Sequence, residues 1–147
     1  MLDLKGSSAI ALDSKGRISI PTKHRPVFVE ADGSSHLTMT RHPDGCLLLL
    51  PRSTWTVKSQ ALSKLPMSTL DWKRIFIGSA NDLELDANGR VVIPPELRDR
   101  VGLKCDGKAM MMGMTDHFEL WEVDVWTKRE SKAISGGIPE AIANFVF

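Results

Sequence analysis

One stretch of this chain occurs twice in nearly the same form. Leu12-Asp13-Ser14-Lys15-Gly16-Arg17-Ile18-Ser19-Ile20-Pro21 returns as Leu85-Asp86-Ala87-Asn88-Gly89-Arg90-Val91-Val92-Ile93-Pro94, and Arg25 is answered in the same register by Arg98. The two copies stand 73 positions apart in 147 residues, so the chain is two halves of one plan. Solenoids are excluded, since stacked repeats recur every ~20–50 residues and need about three copies. Each half by itself would bury too little surface to be comfortably stable, so the halves are expected to pack on each other.

The repeated segment reads physically as strand, tight turn, strand. An Asp can accept from the backbone amide two residues on, and a Gly takes positive φ without strain. After the turn, Arg17-Ile18-Ser19-Ile20 alternates, with Ile18 and Ile20 on one face and Arg17 on the other. In the second copy Val92 breaks that alternation, which predicts a strand buried on both sides. Proline then ends the strand or opens a helix. A short helix follows in the second copy, with Leu97 and Val101 on one face; Pro26 in the first copy predicts a shorter or displaced one.

Past the motif the halves stay parallel with a drift of a residue or two. Asp32-Gly33 precedes a strand at residues 37–40 as Asp106-Gly107 precedes one at 109–112. Turns at residues 43–45 and 115–117 precede strands at 46–50 and 118–121. A helix with Trp55, Val57 and Leu62, capped by Ser53, runs toward Pro66; one with Trp126 and Ala133, capped by Asp124, stops at Gly136-Gly137. Residues 66–80 predict a further, linking helix. The resulting division is a first domain at residues 7–54, a helical linker at 55–82, a second domain at 83–126, and a C-terminal helix and tail at 127–147.

Composition narrows the function. No run approaches the ~18 apolar residues of a membrane helix, and no membrane partner is expected. Met1-Leu2-Asp3-Leu4-Lys5-Gly6 lacks a basic then apolar leader. Cys46 and Cys105 each stand without a second cysteine nearby and read as small core residues of a reducing cytoplasm. His36 and His42, six apart across a turn, read as solvated rather than ligating, and Met110, Met111, Met112 and Met114 as strand core at an interface. Phosphate loops, nucleophile elbows and His-Glu-x-x-His helices are absent from the sequence; no cofactor, no metal and no enzyme activity are expected. The net charge of +1 is uneven: residues 1–60 hold eight Lys and Arg against five Asp and Glu, and residues 81–147 eight against twelve. A basic and an acidic half imply two surfaces with separate jobs.

With two Asp-x-x-Gly-Arg motifs followed by Ile-x-x-Pro spacing, and Gly113-Met114-Thr115-Asp116-His117-Phe118-Glu119-Leu120-Trp121 late in the second half, the chain resembles the MraZ family of bacterial transcriptional regulators over nearly its whole length. The resemblance implies an α+β, mainly β fold of two tandem SpoVT/AbrB-like units with swapped β-hairpins, a pseudo-dimer within one chain, and short flanking helices. It also implies a ring-shaped homo-oligomer in the cytoplasm, nucleoid-associated, bound to double-stranded DNA at repeated promoter boxes of the division and cell-wall gene cluster. There such proteins control transcription, usually as repressors and including their own gene. Pro26 and the weak alternation at Val92 are the departures.

In the first motif, Lys15, Arg17, Lys23 and Arg25 are the candidate DNA-binding residues, a cationic ribbon for phosphates and base edges; the alternative for Arg17 is an ion pair with Asp13 that steadies the turn. Asp13, Gly16, Asp86, Gly89 and Arg90 are read as structural, because Asn88 replaces Lys15 in the second copy and Glu96 and Asp99 flank Arg98. Docking of the acidic half on a neighbour's basic half would be heterologous and could close into a ring, presenting every ribbon in one sense and so matching directly repeated boxes. The competing function is an oligomeric scaffold or antitoxin-like protein-binding module whose motif arginines only hold the fold.

Overall fold

The computed structural model describes residues 2–147; Met1, the first residue of the segment read above for a leader, lies outside them. The first half contributes β1 (Ser7–Ala11), β2 (Arg17–Ser19), a 3-10 helix (Thr22–Phe28), β3 (His36–Arg41), β4 (Leu47–Pro51) and α1 (Arg52–Ser63). A 3-10 turn (Met67–Thr69) and α2 (Leu70–Gly78) link it to β5 (Asn81–Glu84), β6 (Arg90–Val92), α3 (Pro95–Val101), β7 (Lys108–Gly113), β8 (Phe118–Glu122), α4 (Val123–Ser135) and α5 (Glu140–Ala143). β2 and β6 keep the 73-residue offset, β3 and β7 drift by one residue, and β4 and β8 by two.

The strands flanking each turn do not pair with each other. β1 crosses to the second half and pairs with β7 (Ser7 opposite Met112, Ala11 opposite Lys108), while β5 crosses back to β3 (His36 opposite Glu84, Met39 opposite Asn81). The six-stranded antiparallel sheet runs β1-β7-β8-β4-β3-β5, and β2 with β6 forms a separate two-stranded sheet. The order is a palindrome about the β4–β8 seam, where Leu47, Leu48 and Leu49 face Leu120, Glu119 and Phe118. This is the exchange of strands expected of a pseudo-dimer within one chain: each half lends its first strand to the other's sheet.

One core results. Ile18, Ile20, Leu37 and Leu47 from the first half pack in a single buried cluster with Val91, Ile93, Leu97, Phe118 and Leu120 from the second. Each such side chain taken out of water contributes about 1.5–3 kcal/mol, so separating the halves would strip both. The 3-10 helix at Thr22–Phe28 and α3 close this core beneath the two-stranded sheet through Phe28, Leu97 and Val101. On the sheet's other face Cys46, Met112 and Trp121 form a smaller cluster with Met110 and Trp126, and α1, α2 and α4 lie over it.

Several local expectations are corrected. Ser53 is not a cap: α1 starts directly after Pro51, which ends β4 and leaves Ser53 inside the first turn. In α4 the cap is Glu122, whose Oε2 accepts from the Val125 amide at 2.9 Å, rather than Asp124. Val92 is 48 % exposed, so β6 buries one face only, as β2 does. Met111 and Met112 are buried, but Met114 lies past the end of β7 and is exposed. Cys46 is in the core, whereas Cys105 is half-buried and its Sγ accepts from Arg98 Nη1 at 2.9 Å. His36 and His42 are half-buried and paired rather than freely solvated: His36 Nδ1 meets Arg52 at 2.9 Å, and His42 stands between Asp44 and Glu119. Pro26 has the expected effect, since its segment is 3-10 where the second copy is α-helical.

Candidate nucleic-acid interface

The two copies of the motif meet in the β2–β6 ribbon. Arg17 is opposite Val92, Ile18 opposite Val91, and Ser19 opposite Arg90. Strand alternation then sorts the side chains: Ile18 and Val91 point into the core, and Arg17, Ser19, Arg90 and Val92 share the outer face. The ladder is extended at both ends, by the Ile20 amide donating to the Gly89 carbonyl at 2.9 Å and the Ile93 amide to that of Gly16 at 3.0 Å.

Each turn is organised by its aspartate. Asp13 Oδ1 accepts from the amides of Lys15 and Arg17, both at 2.9 Å, and Oδ2 from Arg17 Nε at 2.6 Å. Asp86 repeats this with Asn88 at 2.8 Å, the Arg90 amide at 2.9 Å and Arg90 Nε at 3.0 Å. The Arg17 amide leads in holding the Asp13 carboxyl down at about 2 from its ordinary 3.8, and the Arg90 amide leads in lowering Asp86. Both carboxylates therefore stay charged and spend their charge on Nε, leaving the outer Nη1 and Nη2 hydrogens of each guanidinium, which has five donors in a rigid fork, for another acceptor. The turn-steadying ion pair and an outward-facing arginine are features of the same geometry.

Arg25 and Arg98 do something the sequence reading missed. Arg25 Nε donates to the Ile20 carbonyl at 2.8 Å and its guanidinium packs against Gly89 of the other motif; Arg98 Nε donates to the Ile93 carbonyl at 3.2 Å and packs against Gly16. Gly16 and Gly89 have φ of +76° and +73°, and a Cβ on either would run into the crossing arginine. Glycine is thus required twice over at these positions. The available signal was the shared 73-residue offset of Arg25 and Arg98 from motif to motif.

Around this ribbon, Lys15 at the turn and Lys23 on the 3-10 helix are exposed, and Ser19 and Val92 are the outer-face positions that sequence reasoning did not single out. The pseudo-two-fold relation puts Asn88 where Lys15 stands and Glu96 where Lys23 stands, so these two positions are cationic in the first copy and not in the second. Arg17 and Arg90 hold equivalent places on one face; the geometry gives Arg90 no more buried or more tightly paired a role than Arg17, their ion pairs measuring 3.0 and 2.6 Å. No helix among the described residues is long and apolar enough to cross a membrane.

Comparison with known proteins accounts for both halves together. The family described as "MraZ protein, putative antitoxin-like" matches twice in tandem, at residues 4–75 and 76–141. A protein of Verminephrobacter eiseniae (strain EF01-2) named "Transcriptional regulator MraZ" is 47 % identical over 143 residues, covering 97 % of this chain and 99 % of the relative. Proteins of the same name from Cupriavidus pinatubonensis (strain JMP 134 / LMG 1197) and Burkholderia mallei (strain SAVP1) are 46 % and 44 % identical over the same shares. With two tandem matches over almost all of its length, and the interlocked fold that the duplication requires, this chain belongs to the MraZ family.

Proposed function

We propose that this protein is a sequence-specific DNA-binding transcriptional regulator, not an enzyme, and that the outer face of the β2–β6 ribbon is its DNA-reading surface. The observation that carries this is the presence of both motif arginines on one exposed face of a two-stranded ribbon, each oriented through Nε by an aspartate whose carboxyl is held below its ordinary range. A two-stranded ribbon fits the major groove, and an arginine fork suits a phosphate or a guanine edge. Arg17 and Arg90 make those contacts, Lys15 from the first turn and Lys23 from the 3-10 helix add phosphate contacts at either end, and Arg25 acts by bracing the ribbon from beneath. The names of the relatives support the same reading.

Each protomer presents a single short ribbon, so useful affinity comes from several acting together: a head-to-tail ring on directly repeated promoter boxes gains through high effective concentration. Assembly is supported by the uneven charge of the two halves and by the exposed apolar side chains of the C-terminal arm, Ile134, Ile138, Phe145, Val146 and Phe147. In this reading the regulator works in the cytoplasm at the nucleoid, repressing the division and cell-wall cluster and its own gene.

The test is fluorescence anisotropy on DNA from upstream of the protein's own gene, across a salt series. Each neutralised phosphate contributes about −0.9 to the slope of log affinity against log salt, so a multivalent complex gives a steep line. Arg17→Ala and Arg90→Ala should each weaken binding by about 1–3 kcal/mol while remaining folded. Wild-type affinity in a folded Arg17→Ala, or no preference over unrelated DNA, would move the ribbon arginines to a purely structural role and favour the antitoxin-like scaffold.

A further inference from the structure

On the face of the sheet opposite the ribbon, the turn that leads from β3 into β4 meets the start of β8. His42 and Cys46 come from the turn, Glu119 from β8, and one donor atom of each lies within 4.8 Å of the other two. His42 Nε2 is 3.8 Å from Glu119 Oε2, and His117 Nε2 approaches the same oxygen at 3.9 Å. The other oxygen, Oε1, is occupied by Trp121 Nε1 at 3.0 Å. The carboxylate is therefore held by one oxygen and offers the second to two imidazoles and, beside them, to a thiol that is fully buried.

We infer that His42, Cys46 and Glu119, with His117 beside Glu119 as a further donor, form a zinc-binding site that pins the two halves of the chain together. The donor set is one sulfur, imidazole nitrogen and one carboxylate oxygen, the mixture suited to Zn²⁺. Metal–ligand lengths of about 2.0–2.3 Å put tetrahedral donors about 3.3–3.8 Å apart, so the 3.8 and 3.9 Å separations are nearly those of a loaded site, and the 4.8 Å limit asks for a side-chain adjustment of about an ångström.

Charge balance favours the divalent ion. Zinc binding releases the Cys46 thiol proton to solvent, and one thiolate with one carboxylate then neutralises the ion. The outer groups are in place as well. His117 Nδ1 lies 2.7 Å from Asp116 Oδ1, an arrangement that fixes the ring with Nε2 facing inward. His42 Nδ1 now accepts from the Asp44 amide at 3.0 Å and lies 3.9 Å from the Asp44 carboxylate; metal at Nε2 moves the ring proton to Nδ1, which trades the amide for the carboxylate. Arg129 and Lys58 in turn hold Asp44 and Asp116, at 3.2 and 2.8 Å.

The location gives the ion a structural job. β4 and β8 are joined across the seam between halves by three register pairs, the middle one Leu48 with Glu119, and a metal held from both sides ties that seam together.

The experiment is Co²⁺ titration of the untagged full chain, read by the sulfur-to-cobalt charge-transfer band and the intensity of the tetrahedral d–d bands, followed by displacement with Zn²⁺ and thermal unfolding with and without Zn²⁺. The expected result is one cobalt per chain, a thiolate band lost in Cys46→Ser but kept in Cys105→Ser, affinity at least tenfold weaker in His42→Gln and Glu119→Gln, and a midpoint raised by Zn²⁺ in wild type and Cys105→Ser but not in Cys46→Ser. Far-UV circular dichroism of each variant without metal separates a lost site from a lost fold, and His42→Gln, at a half-buried turn position, serves if Cys46→Ser does not fold. Absence of a thiolate band in wild type, or a band that follows Cys105, overturns the inference.

Discussion

Replacing Gly89 by Ala tests the interlock of the two motifs directly, because the added methyl meets a side chain from the other half. Two costs are involved. The residue stays at φ +73°, and holding an L-residue in the left-handed region costs about 1–2 kcal/mol. The methyl also displaces the Arg25 guanidinium, which gives up its 2.8 Å bond to the Ile20 carbonyl, and a hydrogen bond involving a charged group is worth about 1.5–3 kcal/mol. Gly89→Ala should therefore lose about 3–4 kcal/mol, or roughly 10 °C in Tm for a chain of this size. Gly102→Ala is the control: its φ is +76° and nothing lies within 4 Å of the added carbon, so only the backbone cost of about 1–2 kcal/mol applies. In an Arg25→Ala background the clash is gone and Gly89→Ala should fall to the same value, a coupling of about 2 kcal/mol in a double-mutant cycle. Urea unfolding at one fixed protomer concentration measures wild type and the four variants. A Gly89→Ala loss equal to that of Gly102→Ala, or a coupling below about 0.5 kcal/mol, would refute the cross-motif contact as the reason for glycine.

Further expectations follow from the asymmetry of the ribbon, the turn aspartates and the C-terminal arm. Glu96→Lys gives the second copy the charge that Lys23 supplies in the first, and should tighten DNA binding and steepen the salt slope by about 0.9 for each added phosphate contact, read by the same anisotropy titration. Asp13 is depressed to about 2 in the folded chain from 3.8, so the stability it contributes is present above its unfolded value and is lost as pH falls through about 2; Asp13→Asn should flatten the acid limb of Tm between pH 4 and 2 while lowering Tm at neutral pH. Deleting residues 138–147, which are exposed throughout, should leave circular dichroism and Tm nearly unchanged and reduce the assembled mass in sedimentation velocity; an unchanged mass would remove the arm from assembly.

Much of the fold was legible in the sequence because turn chemistry is local. Asp13 and Asp86 accept the amides two and four residues on, as their spacing allowed, and Pro26 left its segment 3-10 because proline lacks the N–H that an α-turn uses. The helix caps were misplaced for a related reason: Pro51 and Glu122 end strands and start helices with no intervening loop, so Ser53 and Asp124 lie already inside the first turn. Val92 is apolar and yet exposed, since its face is set by strand parity and its pairing with Arg17, and hydrophobicity alone does not reveal that the face is outward.

By itself, the duplicated Asp-x-x-Gly-Arg pattern determined that the chain has two equivalent halves, where their turns fall, and which residues alternate toward a core. Which half each strand belongs to in space was decided only by the tertiary structure, because the β1–β7 and β3–β5 pairings join residues roughly a hundred and about forty-five positions apart, and no local preference distinguishes a partner in one's own half from its copy in the other. The same holds for Arg17 beside Arg90 on one face, Arg25 on Gly89, and His42 and Cys46 facing Glu119. Those contacts exist because both halves must share one core, and sharing it carries side chains across a distance that spacing along the chain does not encode.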